Sequence, residues 1–230
     1  YQGFSTRKKS ASIDSKLAQA ILDITGQTPQ LFAAVKTEPG VHAAYQVVSF
    51  QLEKDVFPDM AAALKQKLNA VLPADIAVLS AETADERFVA SLATKSCTYT
   101  CRIATNPSAA LFSRPYTCVI SEPLDPEAMQ QAAQLLTGTH DFAVFSDGRT
   151  KKSTVRTVEQ ITVTCEGQLV EIQMTANSFL RHMPQLLAGT ILAAGKKKKT
   201  DGIPLIFSDV KSAAPACPSY AFTLTDVQLR

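Results

Sequence analysis

Segments of helical periodicity alternate with short β-branched runs along the whole chain, and that alternation restricts the fold to a mixed α+β sheet. Ile13, Leu17, Ala20, Ile21 and Ile24 recur at helical spacing, with Ser10 or Ser12 placed to cap the run and Gly26 to stop it. An extended apolar stretch at 31–35 and a Pro39-Gly40 turn follow. The β-branched and aromatic residues at 44–50 then predict a strand. Pro58-Asp59-Met60 opens a second helix through Leu64, Leu68 and Val71; Pro73 ends it, and 76–79 is expected as another strand. This rhythm is that of a ferredoxin-like sheet.

The second half repeats the rhythm with longer insertions. Residues 99–103 and 116–120 read as strands, 126–136 as a helix closed by Gly138, and 158–164 with 169–174 as a hairpin turned at Glu166-Gly167. Ser178 is placed to cap a long helix from Phe179 to about Ala194, stopped by Gly195, and 220–229 alternates as a closing strand. The boundary falls at 83/84. Residues 1–83 form an N-terminal ferredoxin-like half whose first strand is expected before Tyr1; residues 84–230 form a C-terminal half carrying the cleft strands and the long helix. No low-complexity linker separates them, which predicts two halves sharing a continuous, mainly antiparallel sheet with helices on one side.

Composition narrows the function classes. Of 230 residues, 46% are hydrophobic and 19% charged, enough for a buried core. No apolar run approaches the roughly 18 residues of a membrane helix, so no membrane partner is expected. Five cysteines, an odd number without CxxC spacing, point to a reducing compartment, the cytoplasm or an organelle interior. Cys97 and Cys101 have no histidine close in sequence, a poor zinc set, and no metal is expected. The net charge of +2 is nearly neutral, but basic residues cluster at 7–9, 149–152 and 196–199. Each cluster is either a solvated loop or, if the fold gathers them round one cleft, a set of phosphate contacts.

Individual motifs go further. Residues 35–43, Val-Lys-Thr-Glu-Pro-Gly-Val-His-Ala, resemble a GRTDxGVHA motif and are followed by Gln46-Val47-Val48-Ser49-Phe50. Tyr1-Gln2-Gly3-Phe4-Ser5 resembles YxGFQ, and Leu72-Pro73-Ala74-Asp75-Ile76 resembles LPxDI. Residues 94–99, ending in Tyr99, are similar to a segment that carries a conserved tyrosine. Gly138-Thr139-His140-Asp141-Phe142, Thr154-Val155-Arg156, Phe179-Leu180-Arg181-His182-Met183 and Ala214-Pro215-Ala216 match GxHDF, TVR, FLRHM and APA. In this order and over essentially the whole chain, they resemble the tRNA pseudouridine synthase A (TruA) family.

The resemblance implies an isomerase that converts uridine to pseudouridine in the tRNA anticodon stem-loop, without cofactor or metal. It also implies a homodimer with a basic cleft for structured RNA between two pseudo-related halves. An aspartate acts on a flipped uridine, an arginine pairs with it, a tyrosine stacks on the base and an apolar residue closes the pocket. Flipping is required because the reacting atoms are inaccessible in a stacked helix. Carried onto this chain, the catalytic positions are Glu38 and Tyr99, and the RNA contacts are Lys36, His42, Arg156 and Arg181. The pairing arginine stands as Gln185 and the apolar lid as Ser219.

These departures have a physical cost. Glutamate reaches about 1.5 Å further than aspartate, and a misplacement near 1 Å costs on the order of 100-fold, roughly 2.7 kcal/mol. Without the guanidinium, the bidentate fork that orients a carboxylate and keeps it ionised is lost. The pattern predicts impaired or absent turnover. Three readings stay open: a synthase working through Glu38, an RNA-binding module that has lost the chemistry, and an assembly scaffold with no RNA role. Without the motif frame, Glu38 is a surface acid, Tyr99 a core aromatic, Arg156 an ion-pair partner, and His42, His140 and His182 packing residues.

Overall fold

The computed structural model describes residues 1–4, 11–53, 57–146, 153–196 and 215–230. The basic runs 7–9 and 149–152, most of 196–199, and Ser5, Ser10 and Ala214 of the sequence reading lie outside them. In chain order the helices are α1 (Ile13–Thr25), α2 (Met60–Val71), α3 (Ala90–Ala93), α4 (Pro126–Leu136) and α5 (Met183–Gly195). The strands are β1 (Phe32–Ala33), β2 (His42–Ala43), β3 (Val48–Ser49), β4 (Thr94–Ala104), β5 (Cys118–Val119), β6 (Gly138–Asp141), β7 (Val155–Glu166), β8 (Leu169–Ala176) and β9 (Phe222–Leu229). They fall into two compact units. One comprises Tyr1–Gly40, Gln46–Thr94 and Leu229–Arg230; the other comprises Val41–Tyr45 and Lys95–Gln228.

In the first unit α1 begins where its cap allows. The Ser12 hydroxyl accepts from the Ser15 amide and the Ser15 hydroxyl from the Ser12 amide, both at 3.2 Å. Gly26, at φ 71°, closes the helix by donating to Leu22 O. Ala20 and Ile21 of α1, Leu64 and Leu68 of α2, and Phe4, Leu31 and Ala33 build one apolar core.

Three expected strands are shorter or missing. One of them is in the second unit, where the strand expected at 116–120 pairs only at Cys118–Val119 because the 3-10 turn Arg114–Tyr116 takes up its start. Of residues 44–50 only Val48 and Ser49 pair, antiparallel to Ala33 and Phe32. Nearer the turn, the Gln46 carboxamide stands in for a ladder rung: it accepts from Val35 N at 3.3 Å and donates to Val35 O at 2.7 Å. Residues 76–79 form no strand, because the Asn69 side chain bonds both Val78 N and Val78 O and occupies the groups a ladder would use.

The second unit is a seven-stranded sheet in the order β2-β9-β4-β8-β7-β6, with β5 beside the end of β4. The β4/β8, β7/β8 and β6/β7 pairs are antiparallel, whereas β2/β9 and β4/β5 are parallel. The fold is a mixed α+β architecture with a mainly antiparallel sheet. The hairpin turn predicted near Glu166-Gly167 is present, with Glu166 opposite Leu169 and Gly167 at φ 59°.

Helix α5 buries eleven of its thirteen residues, as suits an element that is apolar all round. Leu187 and Ile191 of α5, Met129 and Leu136 of α4, Ile172 and Met174 of β8, and Phe142 and Phe145 share one core. The helix starts at Met183 rather than at Phe179. Pro184 has no N–H for Leu180 O and its ring would meet that carbonyl, which disfavours a helical turn before it. Leu180 O accepts from Met183 N instead, and His182 takes a left-handed conformation, φ 59°, at the cap. Gly138 does not close α4, whose cap is Thr137; with φ 116° it opens β6.

Candidate active site

The turn that carries Glu38 is held from one side by the first residues of the chain. Phe4 N donates to Thr37 O at 3.0 Å and to Thr37 Oγ1 at 3.2 Å, and Gly40 N donates to Tyr1 O at 3.1 Å. Between these bonds Gly3 sits at φ 67°, and a Cβ there would lie 2.7 Å from the Glu38 carbonyl carbon and 2.8 Å from its oxygen. Only glycine allows both the left-handed backbone and that approach. Ile13 N donates to Gly3 O at 3.0 Å, which ties the same segment to the start of α1.

Around this turn Thr37 is buried, Glu38 half-buried and Lys36 exposed. Burial pushes the Asp14 carboxyl up, and the Lys36 ammonium pulls it partly back, so the lysine charge bears on the first turn of α1.

The remaining candidate site residues, His42, Tyr99, Arg156, Arg181, Gln185 and Ser219, lie in the second unit. Tyr99 on β4 pairs with Met174 on β8 and is 6% exposed; its ring meets Phe179 edge to face, with centroids 5.5 Å apart at 77°. Phe179 belongs to the short lead between β8 and α5, where Arg181 is exposed and His182 half-buried. Gln185, in the first turn of α5, is 3% exposed, and its backbone carbonyl accepts from Cys217 N at 3.0 Å. A Cβ on Gly189 would lie 3.0 Å from the Pro215 carbonyl carbon and closer still to its oxygen, so this glycine admits the Pro215-Ala216 segment against the helix. Ser219, half-buried, opens the 3-10 turn Ser219–Ala221 that leads into β9.

Arg156 on β7 is in register with His140 on β6. Its Nη1 donates to Ser153 O at 2.9 Å and to Val155 O at 2.7 Å, so part of the guanidinium is folded onto its own chain, while the buried Nε meets no acceptor among the described residues. His42 on β2 packs its ring edge against Tyr116, centroids 4.5 Å apart, with Nε2 3.2 Å from Pro115 O. Lys196, the described member of the four-lysine run, pairs with Glu122 at 2.9 Å.

Four of the free cysteines, Cys97, Cys101, Cys118 and Cys217, are buried. Burial pushes the Cys101 thiol up, and its contact with Cys217 pushes it further. Among the described residues no cluster of His, Cys, Asp and Glu is placed to hold a metal ion.

The sequence motifs marked Glu38, Tyr99 and Gln185 but not the features that fix them. The approach of Gly3 to Glu38, the Phe179 edge on Tyr99 and the Cys217–Gln185 bond all join residues distant in sequence. The glycine set between Gln2 and Phe4 in the YxGFQ-like opening is the one local signal for the first of these.

An antiparallel sheet packed with helices, bearing these motifs in order, has the architecture of the pseudouridine synthases. The family described as tRNA pseudouridine synthase matches residues 132–222. The tRNA pseudouridine synthase A of Thermoanaerobacter sp. (strain X514) is 34% identical over 217 residues, covering 93% of this chain and 88% of that protein. Those of Caldicellulosiruptor bescii and Acetivibrio thermocellus are 33% and 32% identical, each covering 99% of this chain and 93% of the relative. The chain belongs to the tRNA pseudouridine synthase A family.

Proposed function

We propose that this protein binds structured RNA, the anticodon stem-loop of tRNA, and isomerises uridine to pseudouridine weakly or not at all. In this reading Glu38 occupies the catalytic carboxylate position and Tyr99 stacks on the flipped base. Lys36, His42, Arg156 and Arg181 contact the RNA. The protein acts as a homodimer in a reducing compartment, cytoplasmic or organellar, and uses no cofactor or metal.

The observation that carries the reading is the built turn at Lys36–Gly40. A surface acid in a loose loop needs no glycine pressed against its carbonyl, whereas a reacting carboxylate needs a fixed backbone. The kinship with proteins named tRNA pseudouridine synthase A supports the substrate class. Impairment is supported by Glu38 and by Gln185, a buried neutral amide that supplies no positive fork to a carboxylate.

Tritium release from [5-³H]uridine-labelled tRNA tests this. The wild type is expected to release little, and Glu38→Asp with Gln185→Arg to release at least about 10-fold more, a fraction of the ~100-fold attributed to misplacement. An unchanged double variant that still binds tRNA would favour an RNA-binding module. A wild type that ignores tRNA at low salt would favour the scaffold.

A further inference from the structure

The turn region between β4 and β5 does something no motif required: it exposes large rings on an ordered frame. Phe112 is 97% exposed and Tyr116 is 47% exposed. The frame beneath them is hydrogen-bonded throughout. Ser108 N donates to Asn106 Oδ1 at 2.9 Å, Ser113 N to Ala110 O at 3.1 Å and Tyr116 N to Ser113 O at 2.8 Å. The His42 ring braces Tyr116 from one side. On another, the Arg114–Tyr116 turn packs against the Ser219–Ala221 turn, which brings Tyr116 into the neighbourhood of Tyr220, 43% exposed, and of the pocket-lid position Ser219. Arg114 lies within electrostatic reach of Tyr220.

The charge pattern selects the partner. Residues 105–121, 215–221 and 41–45 contain no aspartate or glutamate. The next acid along the chain, Glu122, is already paired with Lys196. What these described segments leave is a surface of aromatic faces with one guanidinium and no carboxylate of their own. Such a surface stacks unpaired bases and tolerates the phosphates that accompany them.

We propose that Phe112, Tyr116 and Tyr220, with Arg114, form a stacking surface for unpaired bases of the RNA substrate beside the Ser219 pocket wall. It rests on the RNA-binding reading above and extends it to residues outside the family motifs. Tyr116, held by His42, is the fixed ring; Phe112 is the outer one. Arg114 takes a backbone phosphate.

The test uses full-length protein, tRNA, and a single-stranded oligouridylate carrying one 2-aminopurine, whose fluorescence stacking quenches. Phe112→Ala and Tyr116→Ala change exposed side chains, so folding is expected to survive and circular dichroism checks it. Each is expected to weaken tRNA about 10-fold, by the alanine cost of one stacked base, and to reduce the quench without altering the salt slope. Phe112→Trp is expected to keep both, and Arg114→Ala to flatten the salt slope by about one contact. If the wild type binds tRNA and the alanine variants bind and quench equally well, the surface is overturned and the RNA reading stands. If the wild type does not bind tRNA, that reading falls and takes the surface with it. If the variants instead dissociate a dimer in sedimentation while RNA affinity per protomer is unchanged, the patch is an interface between copies and the proposal is wrong.

Discussion

At Gly3 two independent constraints meet in one residue. A left-handed backbone costs an L-residue about 1–2 kcal/mol, and the same Cβ would press on the Glu38 peptide. Gly3→Ala is therefore expected to lower stability by at least about 1–2 kcal/mol in urea unfolding, whereas Gly26→Ala, with open space around its Cβ, pays the backbone cost alone. Cys97 offers a pH test. Burial, and then the Glu159 charge, push its thiol from 9.0 to about 12. Folding holds the proton more tightly than the unfolded chain does, so the thiol's contribution is complete below the unfolded value and is lost as pH rises towards the folded one. Between pH 9 and 12 the wild type is expected to lose stability faster than Cys97→Ala, so the gap between them narrows with pH in chemical-denaturation series. The motif frame made Glu38, Tyr99 and Gln185 legible as residues because spacing survives in sequence. It could not show Thr37 and Gly3 fixing the Glu38 peptide, since that contact joins segments more than thirty positions apart.

Among the elements, α5 is the one whose packing is most complete, and the cost of a cavity there follows. Leu187 is fully buried between α4, the sheet and the chain segment at 142–145. Leu187→Ala is expected to cost about 2–5 kcal/mol, and Leu92→Ala, at a site 76% exposed on α3, less than about 0.5 kcal/mol; denaturant midpoints compare them. Several helix limits were readable from local groups, Ser12 and Gly26 for α1 and Pro126 for the start of α4, whereas Gly138 was not the stop of α4. They were misread at α5, where periodicity through 179–182 is real but Pro184 forbids the hydrogen bond that would extend the turn. The strand expected at 76–79 failed for a related reason, because Asn69 on α2 competes for Val78. A side chain that outbids a neighbouring strand is invisible to a period-two pattern.

For the whole molecule the salt dependence of RNA binding is the coarse test of the proposed function. Each phosphate contact contributes about −0.9 to the slope on duplex and about −0.7 on single strands. Lys36→Ala and Arg181→Ala, both at exposed positions, are expected to shallow it by about one contact each in filter binding from low to moderate salt. Sequence alone determined the class of fold, most helix limits, the β7–β8 hairpin and the family, because caps, turns, periodicity and ordered motifs are encoded within a few residues of where they act. Tertiary structure alone decided that His42 and Ala43 run parallel to Thr223 and Leu224 at the sheet edge, and that Tyr99 is packed under Phe179. Only the tertiary structure put the Arg114–Tyr116 turn, with its exposed ring, against the turn that carries Ser219. Backbone hydrogen bonds are the same for every residue, so a strand's distant partner leaves no mark on its side chains; only the folded sheet selects it.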